Sequence, residues 1–104
     1  MVAAPETLTI DQVSICCDRY IEQLEDVLHR PSEYNSLMIK EMMENIIEYC
    51  NNVLEHFKDE EGQPLLSNDH IAIMLELYET IWDVRKMFRM TSVFPVPVLH
   101  VQPI

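Results

Sequence analysis

Apolar residues recur at helical spacing in three long stretches of this chain, and polar turns containing Pro or Gly separate the stretches. In the first stretch, acidic side chains occupy the face opposite the apolar stripe. Thr9, with Gln12 three residues later, has the capping-box pattern, and Pro31 disfavours helical geometry at the residue before it. The pattern predicts a helix over 9–29. Its apolar stripe, in steps of four and three residues, is Val13, Cys17, Tyr20, Leu24 and Val27.

The second stretch predicts a helix over 37–58, with Asn35 or Ser36 as its N-cap. The polar segment 58–64 that follows is a predicted turn, in which Gly62 ends the helix and Pro64 prevents its continuation. The predicted stripe is Ile39, Met43, Ile46, Cys50, Val53 and Phe57.

The third stretch predicts a helix over 68–90 and is the most apolar of the three. Ser67 or Asn68 is its expected N-cap. Arg85, Lys86 and Arg89 fall in its last turns, where cations complement the negative end of the helix dipole. Its apolar residues are Ile71, Met74, Leu75, Leu77, Tyr78, Ile81, Trp82, Val84 and Phe88.

These elements predict an all-α fold. Three helices of about 20 residues are each roughly 30 Å long, and short turns make neighbouring helices antiparallel. We therefore expect one up-down-up three-helix bundle over 9–90, with no room for a second domain in 104 residues. Segment 1–8 is predicted to be flexible, and segment 91–104 to be an extended apolar tail because its prolines exclude a helix.

The second and third helices carry more apolar surface than a three-helix bundle needs. Monomers seldom expose large apolar patches, so the surplus predicts a protein partner, with a homodimer as the favoured assembly. The tail has three alternative roles: it straps its own bundle, crosses to a second copy, or serves as a peptide ligand. The interface candidates are Met42, Tyr49, Tyr78, Trp82, Phe88, Phe94, Val96 and Leu99.

Charge and cysteine content narrow the classes of partner. The chain has 18 acidic and 7 basic residues, a formal net charge of −11, which argues against binding to nucleic acid or to an anionic membrane. A basic protein surface is one complementary partner, and the alternative is that the acidic surface only keeps the protein soluble. Cys17 and Cys50 lie on predicted core stripes, and three cysteines without a secretory leader pattern predict reduced thiols in the cytoplasm.

Paired carboxylates on the second and third helices are the one pattern here that suggests enzyme chemistry. Glu41 with Glu44, and Glu76 with Glu79, are each spaced three residues apart on a helix, and such oxygen ligands suit Mg²⁺. The first pair resembles the E-x-x-E motif of the all-α nucleoside triphosphate pyrophosphatases. The resemblance implies a Mg²⁺-dependent phosphohydrolase, although the second pair departs from the E-x-x-D pattern of that family. The alternative interpretation is that these glutamates simply form solvent-exposed faces of the two helices.

No other catalytic, metal-binding or nucleotide-binding motif is present in the sequence, and no cofactor is expected. We therefore predict a non-enzymatic, acidic helical interaction module: an adaptor, an assembly factor or a regulator. The alternatives are the phosphohydrolase and an acidic inhibitor that mimics nucleic acid.

Overall fold

The structure, a computed structural model, describes residues 9–89 of the chain. This part consists of α1 (Ile10–His29), α2 (Ser36–His56) and α3 (Asn68–Met87), with a 3-10 turn at Pro31–Glu33. The predicted all-helical class with three helices is confirmed for these residues, and the packing of α1 against α3 fits a bundle. The predicted flexible segment 1–8 and the tail 91–104, with Phe94, Val96 and Leu99, lie outside the described residues. No helix within 9–89 is long and apolar enough to cross a membrane.

Side chains cap the beginnings of α2 and α3. The Asn35 side chain accepts a hydrogen bond from the backbone N–H of Met38 at 2.9 Å. Ser67 and His70 form a reciprocal capping box, in which the Ser67 hydroxyl accepts from His70 N–H and the His70 ring accepts from Ser67 N–H. Ser67 is one of the two predicted N-caps, and its pairing with the His70 ring lies outside the S/T-x-x-E/Q pattern of a capping box.

The predicted capping box at the start of α1 is wrong. Thr9 occupies the N-cap position with extended backbone, yet its side chain makes no capping hydrogen bond. Gln12, the predicted partner, is joined to Thr9 through the backbone instead: its N–H donates a hydrogen bond to Thr9 C=O at 3.1 Å. The spacing of a capping box therefore does not ensure that the box forms.

A network around Asp26 holds the turn between α1 and α2. One Asp26 oxygen accepts from Arg30 Nε at 3.0 Å and Nη2 at 2.6 Å, and the other accepts from the Tyr34 hydroxyl. The bonds from Tyr34 and then from Arg30 hold the pKa of Asp26 below its usual value. The last turn of α1 is thereby tied to the chain that enters α2.

The connection from α2 to α3 is a loop that folds back on itself. Leu65 N–H donates to Phe57 C=O at 2.9 Å, and the Asp59 carboxylate accepts two backbone N–H groups inside the loop. Gly62 adopts a φ of +83° within this loop, a conformation that favours glycine. The prediction that Gly62 ends the second helix is wrong, because α2 already ends at His56.

The buried core runs the length of the three helices. Tyr20 of α1 and Tyr49 of α2 meet edge to face with their ring centroids 5.5 Å apart. Since both residues lie about two to four turns from the connecting turn, α2 returns alongside α1. The buried apolar residues are Val13, Cys17, Ile21, Leu24, Val27, Ile39, Met43, Ile46, Ile47, Cys50, Val53, Leu66, Met74, Leu77, Ile81 and Val84.

The backbones of α1 and α3 approach each other most closely, and α2 lies farther from both.

Candidate functional site

Four apolar side chains follow one face of α3 in steps of four, three and four residues. We call them the α3 apolar stripe: Ile71, Leu75, Tyr78 and Trp82. Ile71 and Tyr78 are half-buried and pack against the core. Leu75 and Trp82 keep 41% and 52% of their surface exposed. Tyr78 lies near the thiols of both Cys50 on α2 and Cys17 on α1, so the inner edge of the stripe faces the core.

Arg85 lies directly beside this stripe and is almost entirely buried, with 8% of its surface exposed. Its guanidinium carbon is 4.9 Å from the centre of the Trp82 ring, which is a cation–π contact. The buried Nε has no hydrogen-bond partner, and Arg85 forms no ion pair within 9–89. Arg85 lies in the last turn of α3, as predicted, and its contact with Trp82 was not predicted.

The outer border of the stripe is acidic. Glu79 is exposed and lies one turn from both Leu75 and Trp82 along the helix surface, and the exposed Asp83 follows it. Among the described residues, the only ion pair on α3 joins Asp83 to Lys86 at 4.0 Å. A surface contact of that length contributes little. Lys86 is exposed one turn after Trp82 on the same side, so this border carries two carboxylates and one cation.

The predicted interface candidates fall into separate regions. Tyr78 and Trp82 belong to the stripe. Tyr49 and Met42 share one face of α2, and contact with Tyr20 places that face towards α1. Phe88 is the C-cap residue of α3. Met42, Tyr49 and Phe88 are half-buried and pack against the core, so their surface is partly used within the bundle.

The carboxylates of the enzyme alternative do not form a centre. Glu41, Glu44, Glu76 and Glu79 are all exposed. Within the described residues, no group of three or more His, Cys, Asp or Glu side chains could hold a metal ion. Mg²⁺ needs only one or two protein carboxylates, so each pair by itself stays a prediction that this arrangement does not test.

Thiols and phenols meet at the centre of the bundle. Cys17 and Cys50 are fully buried core residues, as predicted. Burial, helped by the neighbouring thiol, raises the pKa of each to about 12. The Tyr78 hydroxyl is buried without a hydrogen-bond partner, and the buried Tyr49 hydroxyl has only the weak hydrogen-bonding group of the Cys16 thiol beside it. Burial raises the pKa of both phenols, and the interaction with Cys16 raises that of Tyr49 further. These groups stay protonated near neutral pH, which suits a core and not a nucleophile.

Two residues of the site were not among the predicted candidates. Leu75 could have been found from its spacing, because it precedes Trp82 by two helical turns and follows Ile71 by one. The burial of Arg85 could not have been predicted in the same way, because the sequence does not show which aromatic ring its guanidinium contacts.

Comparison with known proteins identifies neither a family nor a function for this chain. No family model matches the chain, and no characterised protein or solved structure is significantly similar to it.

Proposed function

We propose that this chain is a non-enzymatic protein–protein interaction module that binds a partner along the α3 apolar stripe. The exposure of Leu75 and Trp82 beside a filled core is the observation that carries the proposal. Fully burying one large apolar side chain contributes about 1.5 to 3 kcal/mol. Because each of these two is already about half covered, covering the rest of both contributes about that amount in total. Aromatic and Arg side chains dominate interface hot spots, and the stacked Trp82 and Arg85 supply one of each.

The border of the stripe indicates the chemistry of the partner. Glu79 and Asp83 line its outer side, and the whole chain carries a net charge of −11. A segment with apolar side chains flanked by Lys or Arg, such as a basic amphipathic helix, matches both parts of this surface. Complementary charge would speed the encounter, while the apolar contacts would hold the complex. An adaptor, an assembly factor or a regulator would work in this way.

Self-association through the same stripe is a second candidate. A continuous helical stripe suits packing against a second copy of itself, and two-fold dimers are the commonest symmetric assemblies. However, two copies would bring the Glu79 and Asp83 borders of both chains together, which opposes the contact. For this reason a basic partner is the preferred form of the proposal.

Co-purification from native extract with matched variants tests the proposal. Trp82→Ala and Leu75→Ala are expected to lose the bound protein. Ile15→Ala is the control, because Ile15 is 46% exposed and lies among the exposed residues Asp11, Asp18 and Arg19 on α1. Retention of the same protein by all three variants would contradict the proposal.

Salt separates this proposal from the acidic-mimic alternative. Binding through the stripe is expected to persist in 1 M salt, where the Debye length is about 3 Å and exposed charges are screened. A nucleic-acid mimic that binds through charge alone would be released under the same conditions. Light scattering of the purified chain over a range of concentrations tests for the dimer.

A further inference from the structure

The C-terminal end of α3 turns the chain out of its helical path. Phe88 is the C-cap residue, and Arg89 after it has a φ of +53°. Arg89 N–H donates to Lys86 C=O at 3.2 Å. A left-handed residue at this position, with this hydrogen bond, is part of the motif that ends helices and redirects the chain. The helix thus ends about 8 Å, or five helical residues, beyond Trp82.

The sequence beyond this turn differs from the rest of the chain. Segment 91–104 contains no Asp, Glu, Lys or Arg, although the whole chain is 24% charged. Its prolines at 95, 97 and 103 disfavour a helix and favour extended backbone. Its large apolar residues are Val93, Phe94, Val96, Val98, Leu99, Val101 and Ile104.

We propose that segment 91–104 lies along the α3 apolar stripe of its own chain in the free protein, covering Trp82 and Leu75, and that a binding partner displaces it. The segment has the required reach. Fourteen residues in extended form span about 43 Å at about 3.1 Å per residue. The stripe from Ile71 to Trp82 covers eleven helical steps, or about 17 Å.

Two physical arguments favour the chain's own segment over that of a second copy. A segment tethered at Arg89 is present at an effective concentration on the order of millimolar, above the concentration of free copies in ordinary solutions. In addition, the segment has no acidic side chain, so Glu79 and Asp83 do not repel it, whereas a second copy would bring an acidic bundle close to them together with its own segment. The inference depends on the stripe and not on the identity of any partner.

Acrylamide quenching of tryptophan fluorescence tests this contact in the full chain. Trp82 is the only tryptophan, so the whole signal comes from the stripe. The test variant is Phe94→Ser with Leu99→Ser. The matched control is His100→Ser with Gln102→Ser, which alters polar positions of the same segment. We expect the test variant to shift the emission to longer wavelength and to raise the quenching constant about twofold, because water reaches apolar surface that the segment covered. The control is expected to match the unaltered chain.

The outcomes that overturn the inference are specific. An unchanged quenching constant in the test variant would show that the segment does not cover Trp82. Protection of Trp82 that grows with protein concentration, together with a doubled mass in light scattering, would assign the cover to a second copy. Far-UV circular dichroism checks that the helices are intact, and the milder Phe94→Ala with Leu99→Ala replaces the serine variant if they are not. No partner enters this experiment, so its failure leaves the proposed function to its own test.

Discussion

The guanidinium of Arg85 stacks on Trp82, with 4.9 Å between the guanidinium carbon and the centre of the ring, three residues apart on α3. The contact fixes the orientation of an indole that is otherwise half exposed to solvent. Arg85 has no ion-pair partner within 9–89, and it lies at one edge of the α3 apolar stripe. The opposite edge of the stripe carries the carboxylates of Glu79 and Asp83. The rigid ring makes Trp82 suited to act as an anchor for binding.

Replacing Arg85 by an apolar side chain is expected to stabilise the fold. A cation–π contact contributes about 0.5 to 1 kcal/mol at a partly exposed site, whereas a buried donor without a partner costs about 1 to 3 kcal/mol. Arg85→Met keeps most of the apolar stem, so we expect a gain of about 1 kcal/mol in the free energy of unfolding. Lys86→Met, at the exposed neighbouring position, is the control and should change the free energy of unfolding by less than about 0.5 kcal/mol. A loss of stability in urea unfolding of Arg85→Met would show that the stacking dominates.

Two N-cap substitutions should have different effects. Ser67→Ala removes the hydroxyl half of a capping box that the structure contains, and should lower stability by about 1 kcal/mol. Thr9→Ala removes a hydroxyl that makes no capping bond, and should change stability by less than about 0.5 kcal/mol. Urea unfolding of the two variants measures the difference. Equal losses would contradict the assignment of the caps.

Acid should weaken the turn between α1 and α2. The pKa of Asp26 is lowered in the folded state, first by the Tyr34 hydroxyl and then by Arg30. The network therefore contributes stability above the ordinary carboxyl pKa, and this contribution is lost as the pH falls through the lowered value. Tyr34→Phe removes the largest cause of the shift. Its thermal midpoint should fall less between pH 7 and pH 3 than that of the unaltered chain, and an equal fall would contradict this origin.

The three cysteines should differ in their reaction with a thiol reagent. At pH 8, a thiol with a pKa of about 12 is ionised to about one part in ten thousand, which applies to Cys17 and Cys50. Cys16 is half-buried and should react first in the native protein. Cys16→Ser should remove the fast phase, leaving two thiols that react only on unfolding. Fast labelling of Cys17 or Cys50 in this variant would contradict their burial.

The fold could be predicted from the sequence because three uninterrupted apolar stripes leave few other solutions. The ends of the helices were less predictable, since they depend on backbone geometry that residue type does not fix. Thr9 has the residue type of a side-chain cap without acting as one, and α3 ends at Met87, three residues before the predicted end.

The candidate site was predictable only in part. Trp82 and Tyr78 were selected because aromatic residues dominate interfaces. Leu75 and Leu77 look alike in the sequence, yet one is exposed and the other is fully buried, because two positions turn the helix by more than half a circle. The position of Arg85 depends on packing against Trp82, which no spacing rule describes.

Site-specific photo-crosslinking tests the central claim, that the α3 apolar stripe is the binding surface, most directly. p-Benzoylphenylalanine would replace Leu75 in one variant and Ile15 in another, since both positions are exposed and only Leu75 lies on the stripe. The account predicts a crosslinked protein at position 75 and none at position 15, with the attached peptide containing apolar residues flanked by Lys or Arg. The same protein crosslinked at both positions, or at position 15 alone, would contradict it.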